Sequence, residues 1–259
     1  MGMVMLVCVL AVVAAVGLVG LAALVYRLIG RDTDPTESRG VSVGHAGSML
    51  SSLFLLVFAI AVVVPWASAD SARQNTYTEG QALVETYWAA AGLPAPDAAR
   101  VQTELRDYAR FVISREWPLM AAGRLGDEGT TRLESLRTAV MNLRPTGEDA
   151  RAAKGQVLDR MSDLFSARRQ RAADAKSTPP AGVLLLTVVT GVVVIVFPFL
   201  AGARPRGLAL VPLTLMAMLL GVGVYLAQDI SRPFSGGLAV RPDAFVGAID
   251  EFQRIPEGR

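Results

Sequence analysis

One cysteine and one histidine in 259 residues remove several kinds of chemistry at the outset. Zinc centres and nucleophilic triads need histidine or cysteine in convergent numbers, which Cys8 and His45 cannot supply. Cys8 has no partner for an intrachain disulfide, and within an apolar run it reads as a small buried side chain. Charge of one sign is also missing: 25 basic residues against 23 acidic give no basic surface for nucleic acid. A phosphate loop is absent, because Gly123, Gly126 and Gly129 follow no strand and lack a Lys-Ser or Lys-Thr sequel. No sustained strand-like alternation and no repeat of domain scale is visible. The sequence therefore predicts no catalytic residue, no metal and no cofactor.

What the chain has in quantity is uncharged apolar sequence. Met1 to Tyr26, Gly40 to Ala69, Ser177 to Ala203 and Gly207 to Gln228 contain no Asp, Glu, Lys or Arg. Each can supply the roughly 20 residues that span a bilayer's hydrocarbon core. A soluble core helix of that length would show a polar stripe toward water, whereas these are apolar all round. Without Lys or Arg before Cys8, the first run reads as a span and not as a cleaved leader. The expected spans are about 4–26, 49–67, 181–200 and 208–227. They form two hairpins, 1–69 and 179–228, on either side of a central region 70–178, with a tail 229–259.

The central region is predicted to be a water-exposed helical bundle, because Asp70 to Lys176 holds 16 basic and 15 acidic side chains. Glu79 to Ala91 is expected as a helix stopped by Gly92 and Pro94, and Asp97 as the cap of the next, which carries Val101, Leu105, Tyr108 and Val112 on one face. Thr131 to Glu134 has capping-box spacing and is expected to open a helix bearing Leu133, Leu136, Val140 and Leu143. A long helix from about Glu148 to Lys176 shows an apolar stripe of Ala153, Val157, Met161, Leu164 and Phe165. The bundle's acids, among them Glu79, Glu85, Glu104 and Asp107, are expected in water, paired with Arg on charged helix faces. Trp88 and Trp117 are expected to pack in the bundle, Trp66 to anchor at the membrane surface. In the tail, Phe245, Val246, Ile249 and Phe252 form an apolar stripe for packing. The fold class is all-α, a multi-pass protein of the plasma membrane. An even number of spans puts both termini and the bundle on one side. Which side is open, because Arg27, Arg31, Arg39, Arg204 and Arg206 nearly balance Arg73, Arg168, Arg169, Arg171, Lys176, Arg232 and Arg241 across the membrane.

Several local motifs appear in a fixed order between the two hairpins. They are His45 before the second span, Glu79-Gly80-Gln81-Ala82-Leu83 after it, Arg106-Asp107-Tyr108, then Glu116-Trp117-Pro118 with Met120 and Gly123. Beyond the fourth span comes Arg232-Pro233-Phe234-Ser235-Gly236, followed by Val240, Pro242 and Phe245. In this order the chain resembles a bacterial family described as bestrophin-like. The resemblance implies a distant relation to the bestrophins, pentameric anion channels whose second helices line the pore. It also implies a cytoplasmic bundle. Bestrophins carry an acidic calcium-binding run after a Pro-Phe-Gly element. Here Ser235-Gly236-Gly237-Leu238-Ala239 replaces that run, and calcium needs several oxygen ligands, mostly carboxylates.

No charge lies within the four runs, which disfavours proton coupling inside the membrane but leaves a pore lined by hydroxyls and apolar constrictions. The second span offers Ser48, Ser51 and Ser52 at one end and Phe54, Phe58 and Val62 further along. Arg27, Arg31, Arg39 and Arg73 are placed to supply positive potential at the pore mouths. His45 is a candidate pH sensor, since histidine is the side chain that titrates near neutrality, and an interfacial polar residue otherwise. The expected function is an oligomeric channel for small ions, anions foremost, whose partners are the bilayer and either further copies, five in a bestrophin-like ring, or other membrane subunits. The alternative is a non-catalytic accessory or scaffolding subunit whose bundle docks a partner.

Overall fold

The computed structural model describes residues 38–176, 181–200 and 211–254, together with single helical positions at Val13, Gly17, Leu21 and Leu24. The rest of the expected first span, the polar connection after it and the loop joining the last two spans lie outside the described residues. Among those described, the chain is all-α, with no strand. It forms α1 (Ser38–Ala90), α2 (Ala95–Phe111), a π-helical turn (Val112–Glu116), α3 (Trp117–Ala121), α4 (Glu128–Asn142), α5 (Glu148–Lys176), α6 (Ala181–Leu200), α7 (Val211–Ile230) and α8 (Asp243–Phe252).

The largest departure from the sequence reading is α1. A span at 49–67 and a separate helix from Glu79 were expected, but one helix of 53 residues covers both. The physical reason lies in Ser68 to Thr78, which contains neither glycine nor a second proline. Its polar side chains bond along the helix: Gln74 Nε2 donates to Asp70 Oδ2 at 2.8 Å, and Thr76 Oγ1 to the Ala72 carbonyl at 2.8 Å. Such i to i−4 bonds satisfy the hydroxyls without opening the backbone. Pro65 lies inside the same helix.

The chain divides into two compact units, one comprising Met1–Ala67 with Thr178–Ser231 and the other Ser68–Ser177 with Arg232–Arg259. In the first, Phe54 of α1 packs with Val194, Ile195 and Phe199 of α6 and Ala217 and Leu220 of α7. Two glycines permit the approach: a Cβ at Gly191 would meet Leu220 Cδ2 at 2.7 Å, and one at Gly223 would fall on the Phe58 ring. Around this small core, large apolar side chains stand open, including Met49 at 76 %, Leu185 at 65 % and Leu219 at 63 % exposure. Among the described residues, one helix is long and apolar enough to cross a membrane, His45–Ala90 within α1. Shorter apolar helical runs are Leu185–Phe197 and Thr214–Ile230.

The second unit has a conventional core. Leu83 and Tyr87 of α1, Val101 and Leu105 of α2, Leu133 and Val140 of α4, Val157, Met161 and Leu164 of α5, and Phe245 and Phe252 of α8 are buried together. The Tyr87 and Phe252 rings stack with centroids 4.2 Å apart. Several expectations need correction here. α2 starts behind Pro94 with no side-chain cap, Asp97 lying in its first turn. α4 begins at Glu128, ahead of the proposed capping box, and Thr131 Oγ1 bonds back to the Asp127 carbonyl from inside the helix. Trp88 is 49 % exposed and Val246 44 % exposed, so neither packs as expected. In α8 the buried face is Ala244, Phe245, Ala248 and Phe252.

Candidate functional site

The second unit buries a group of charges. Glu79 from α1, Glu116 from the end of the π turn, and Arg168 and Arg171 from α5 are each 3 % exposed or less, with Tyr108 of α2 beside them. Arg171 Nε donates to Glu79 Oε2 at 2.5 Å and its Nη2 to Glu79 Oε1 at 3.1 Å and Glu116 Oε2 at 2.9 Å. Arg168 holds Glu116 with both terminal nitrogens, at 2.9 and 2.5 Å. Tyr108 Oη joins the two pairs, donating to Glu79 Oε1 at 2.7 Å and accepting from Arg168 Nη1 at 2.9 Å. Two guanidiniums and two carboxylates cancel, and forked bonds use most of their lone pairs and protons, the condition under which buried charge is tolerable.

Local sequence explains how the four charges meet. Ala72, Thr76, Glu79, Leu83, Tyr87 and Ala90 make one buried face of α1, so Glu79 lies in the middle of a core stripe. On α5, Arg168 and Arg171 continue the stripe of Val157, Met161 and Leu164 by steps of three or four. Glu116 is delivered by the π turn, whose wider closure is seen in the bond from the Trp117 N–H to the Val112 carbonyl. Pro118 supplies a cause: it has no N–H for the Ser114 carbonyl, which its ring would also crowd in an α-helix. Gly129 of α4 faces the pair, and a Cβ there would strike Glu116 Oε1 and the Arg168 guanidinium.

Burial alone would push the Glu116 carboxyl up. The hydrogen bond from Arg168 and the charges of Arg171 and Arg168 outweigh it and hold the group below the ordinary carboxylate range. Burial and the Glu79 charge push the Tyr108 phenol well above its ordinary value. For both arginines burial opposes the charge, yet the carboxylate partners raise them further. Replacing Tyr108 by Phe is expected to cost about 1–3 kcal/mol, since Glu79 loses a buried donor. The phenol's contribution is present in full below about pH 10 and lost as pH rises through the raised folded value. Thermal denaturation across pH 8 to 12 should therefore show an alkaline decline in the parent that is shallower in Y108F.

The motif residues of the sequence reading fall around this cluster. Trp117 is buried, its Nε1 donating to the Val240 carbonyl at 3.3 Å, and the Phe234 ring meets it edge-on at 5.6 Å. The Arg171 guanidinium lies 5.3 Å from the Phe245 ring centroid and 5.9 Å from that of Trp117. Pro118 and Arg232 are exposed, while Pro233 and Phe234 are buried. The loop closes through Val240 N–H to the Pro233 carbonyl at 2.7 Å, and Gly236 has φ of +100°, a left-handed geometry that favours glycine. Gly80 lets α8 in, as a Cβ there would meet the Ala244 carbonyl oxygen at 3.0 Å.

Two sequence expectations are overturned. Glu79 is not in water but fully buried, and Arg168 and Arg171 serve internal pairs, which removes them from the count of basic residues near the membrane. Glu85 and Asp107 do behave as solvated partners, of Arg160 and Arg110. Elsewhere, His45, Ser48, Ser51 and Ser52 are exposed on α1, Phe58 and Val62 are half-buried, and Phe54 is buried against α6 and α7. The six suggested pore residues thus do not share one open face. Among the described residues no group of three or more His, Cys, Asp or Glu is placed to hold a metal.

A family profile described as "Bestrophin-like domain" matches residues 10–245. That range takes in α1 to α7, the buried cluster and the Pro-Phe loop. No curated protein and no solved structure matches.

Proposed function

The chain belongs to the bestrophin-like family, and from that premise we propose that it is a multi-pass membrane protein whose copies assemble around a pore for small anions. The observation that carries this beyond the family is the first unit: a small core ringed by open Met, Leu and Val side chains. Exposed apolar area on that scale calls for lipid or further subunits. The proposed spans are the first apolar run, the apolar part of α1, α6 and α7. With four spans, both termini and the bundle share one side. The family association favours the cytoplasm for that side.

The proposed lining is the α1 face around Ser48, Ser51 and Ser52, with Val62 further along. Hydroxyls can replace part of an anion's hydration shell, and an apolar stretch can gate by dewetting. Phe54 and Phe58 are engaged inside the chain and are better read as wall supports than as the neck. His45, exposed one turn before Ser48, is the proposed pH sensor. Reconstituted protein in planar bilayers should pass anion current. Ser51→Val with Ser52→Val should reduce it several-fold, and His45→Gln should flatten its dependence on pH. Absence of current at any pH or salt would count against the channel.

A second reading has its own support, the exposed Trp88 and Tyr77 on the bundle part of α1. Aromatic side chains in the open are suited to interface anchoring. An accessory subunit would dock a partner there, and a foreign subunit in stoichiometric amount after purification would favour it. We read no catalytic role, the acids of the bundle core being spent on arginine.

A further inference from the structure

The far side of the π turn opens into a cavity of about 620 Å³, lined by Phe111, Ser114, Arg115, Leu119, Arg124 and Arg132 among others. Its volume suits a small organic ligand. The acids at its wall are already committed. Glu116 belongs to the buried cluster, and Glu128 Oε1 takes both Nε and Nη2 of Arg132, at 3.2 and 2.8 Å. The cations are less so. Arg115 and Arg124 are exposed, and their side chains make no hydrogen bond or ion pair among the described residues. Arg132 is held with its guanidinium carbon 4.4 Å from the Phe111 ring centroid, and its Nη1 bonds to nothing described.

We propose that this cleft is a binding site for a phosphate-bearing anion, gripped by Arg115 and Arg124 with Arg132 as a fixed third contact. Guanidinium is suited to the task, because its planar fork bonds phosphate oxygens in pairs. Arg132, stacked and tethered, has already given up much of its side-chain freedom, so less is lost on binding. Phe111 and Leu119 offer apolar contact to whatever the phosphate is attached to. The same turn that delivers Glu116 inward presents Ser114 and Arg115 to the cleft, so a ligand would press on the element that holds the buried charges. The phosphate has two sources of the same chemistry, a soluble phosphate compound or an anionic lipid headgroup.

The test uses the full chain in nanodiscs, with pyrophosphate as the soluble probe, at constant ionic strength set with chloride. In zwitterionic nanodiscs, pyrophosphate should give a saturable rise in melting temperature. Arg115→Ala with Arg124→Ala should weaken its apparent affinity about tenfold or more without altering the melting temperature of the free protein. Arg132→Lys, which keeps the charge but loses the fork, should weaken it by a smaller factor. If phosphatidylglycerol nanodiscs already carry an arginine-dependent rise and blunt the pyrophosphate response, the proposal stands with a headgroup as the source. A response that is absent in both lipids, or equal in parent and double variant, overturns it. The result is independent of whether the chain conducts.

Discussion

Arg171→Met is expected to destabilise the bundle by about 3–5 kcal/mol, the penalty for leaving a buried carboxylate without its cation. Arg171 is 1 % exposed and bonds both Glu79 and Glu116. Methionine would fill much of the space but leave Glu79 with the Tyr108 hydroxyl alone, Arg168 being bonded to Glu116. The loss should be much smaller when Glu79→Gln is added, since neutrality is then restored and the amide still accepts from Tyr108. A double-mutant cycle by chemical denaturation should give a coupling of at least about 3 kcal/mol, the upper end of the range for residues in contact. An additive pair would mean that the contacts pictured do not carry energy. Arg100→Ala provides the contrast. Arg100 is exposed and its partner Asp97, 3.3 Å away, only half-buried, and such a surface pair is worth about 0–1 kcal/mol.

Glu116→Gln is the second large effect, because one carboxylate there serves two guanidiniums. Its removal leaves net positive charge in the core, with an expected cost again of about 3–5 kcal/mol at neutral pH. The pH dependence separates this from simple loss of packing. A carboxyl held below its unfolded value, about 4.3, contributes its full stability above that pH and loses it as pH falls through the lower folded value. The parent should therefore decline in stability on the acid side of about pH 4. E116Q should start lower and show a shallower acid limb. Equal slopes for both proteins would show that other carboxyls govern acid unfolding.

Much of the helical layout can be read directly from spacing. The stripe of Leu133, Leu136 and Val140, and that of Val157, Met161 and Leu164, point into the core as their periods require. α6 runs over the residues that its apolar length predicts. What escaped the sequence was continuity and long-range pairing. Ser68 to Thr78 is polar and looked like a connection, yet nothing in it stops a helix. Charge alone points to solvated side chains at these positions, whereas their register points inward. Glu79 stands between Thr76 and Leu83, and Arg168 and Arg171 prolong an apolar stripe. That signal is local and legible afterwards, whereas the pairing of Arg171 with Glu79 joins residues 92 apart. The π turn at Pro118 was equally out of reach, because it shifts helical phase without changing composition. The motif residues Glu116, Trp117, Pro233 and Phe234 were singled out by resemblance, and their common neighbourhood gives them a structural reason.

The pore reading and the buried cluster make separate demands on this chain, and only the first requires several copies. The native mass of the protein in nanodiscs tests it most directly. The account predicts one assembly of about five identical chains, as a closed ring around a pore needs. A monomer, or a complex built mainly with foreign subunits, would contradict it.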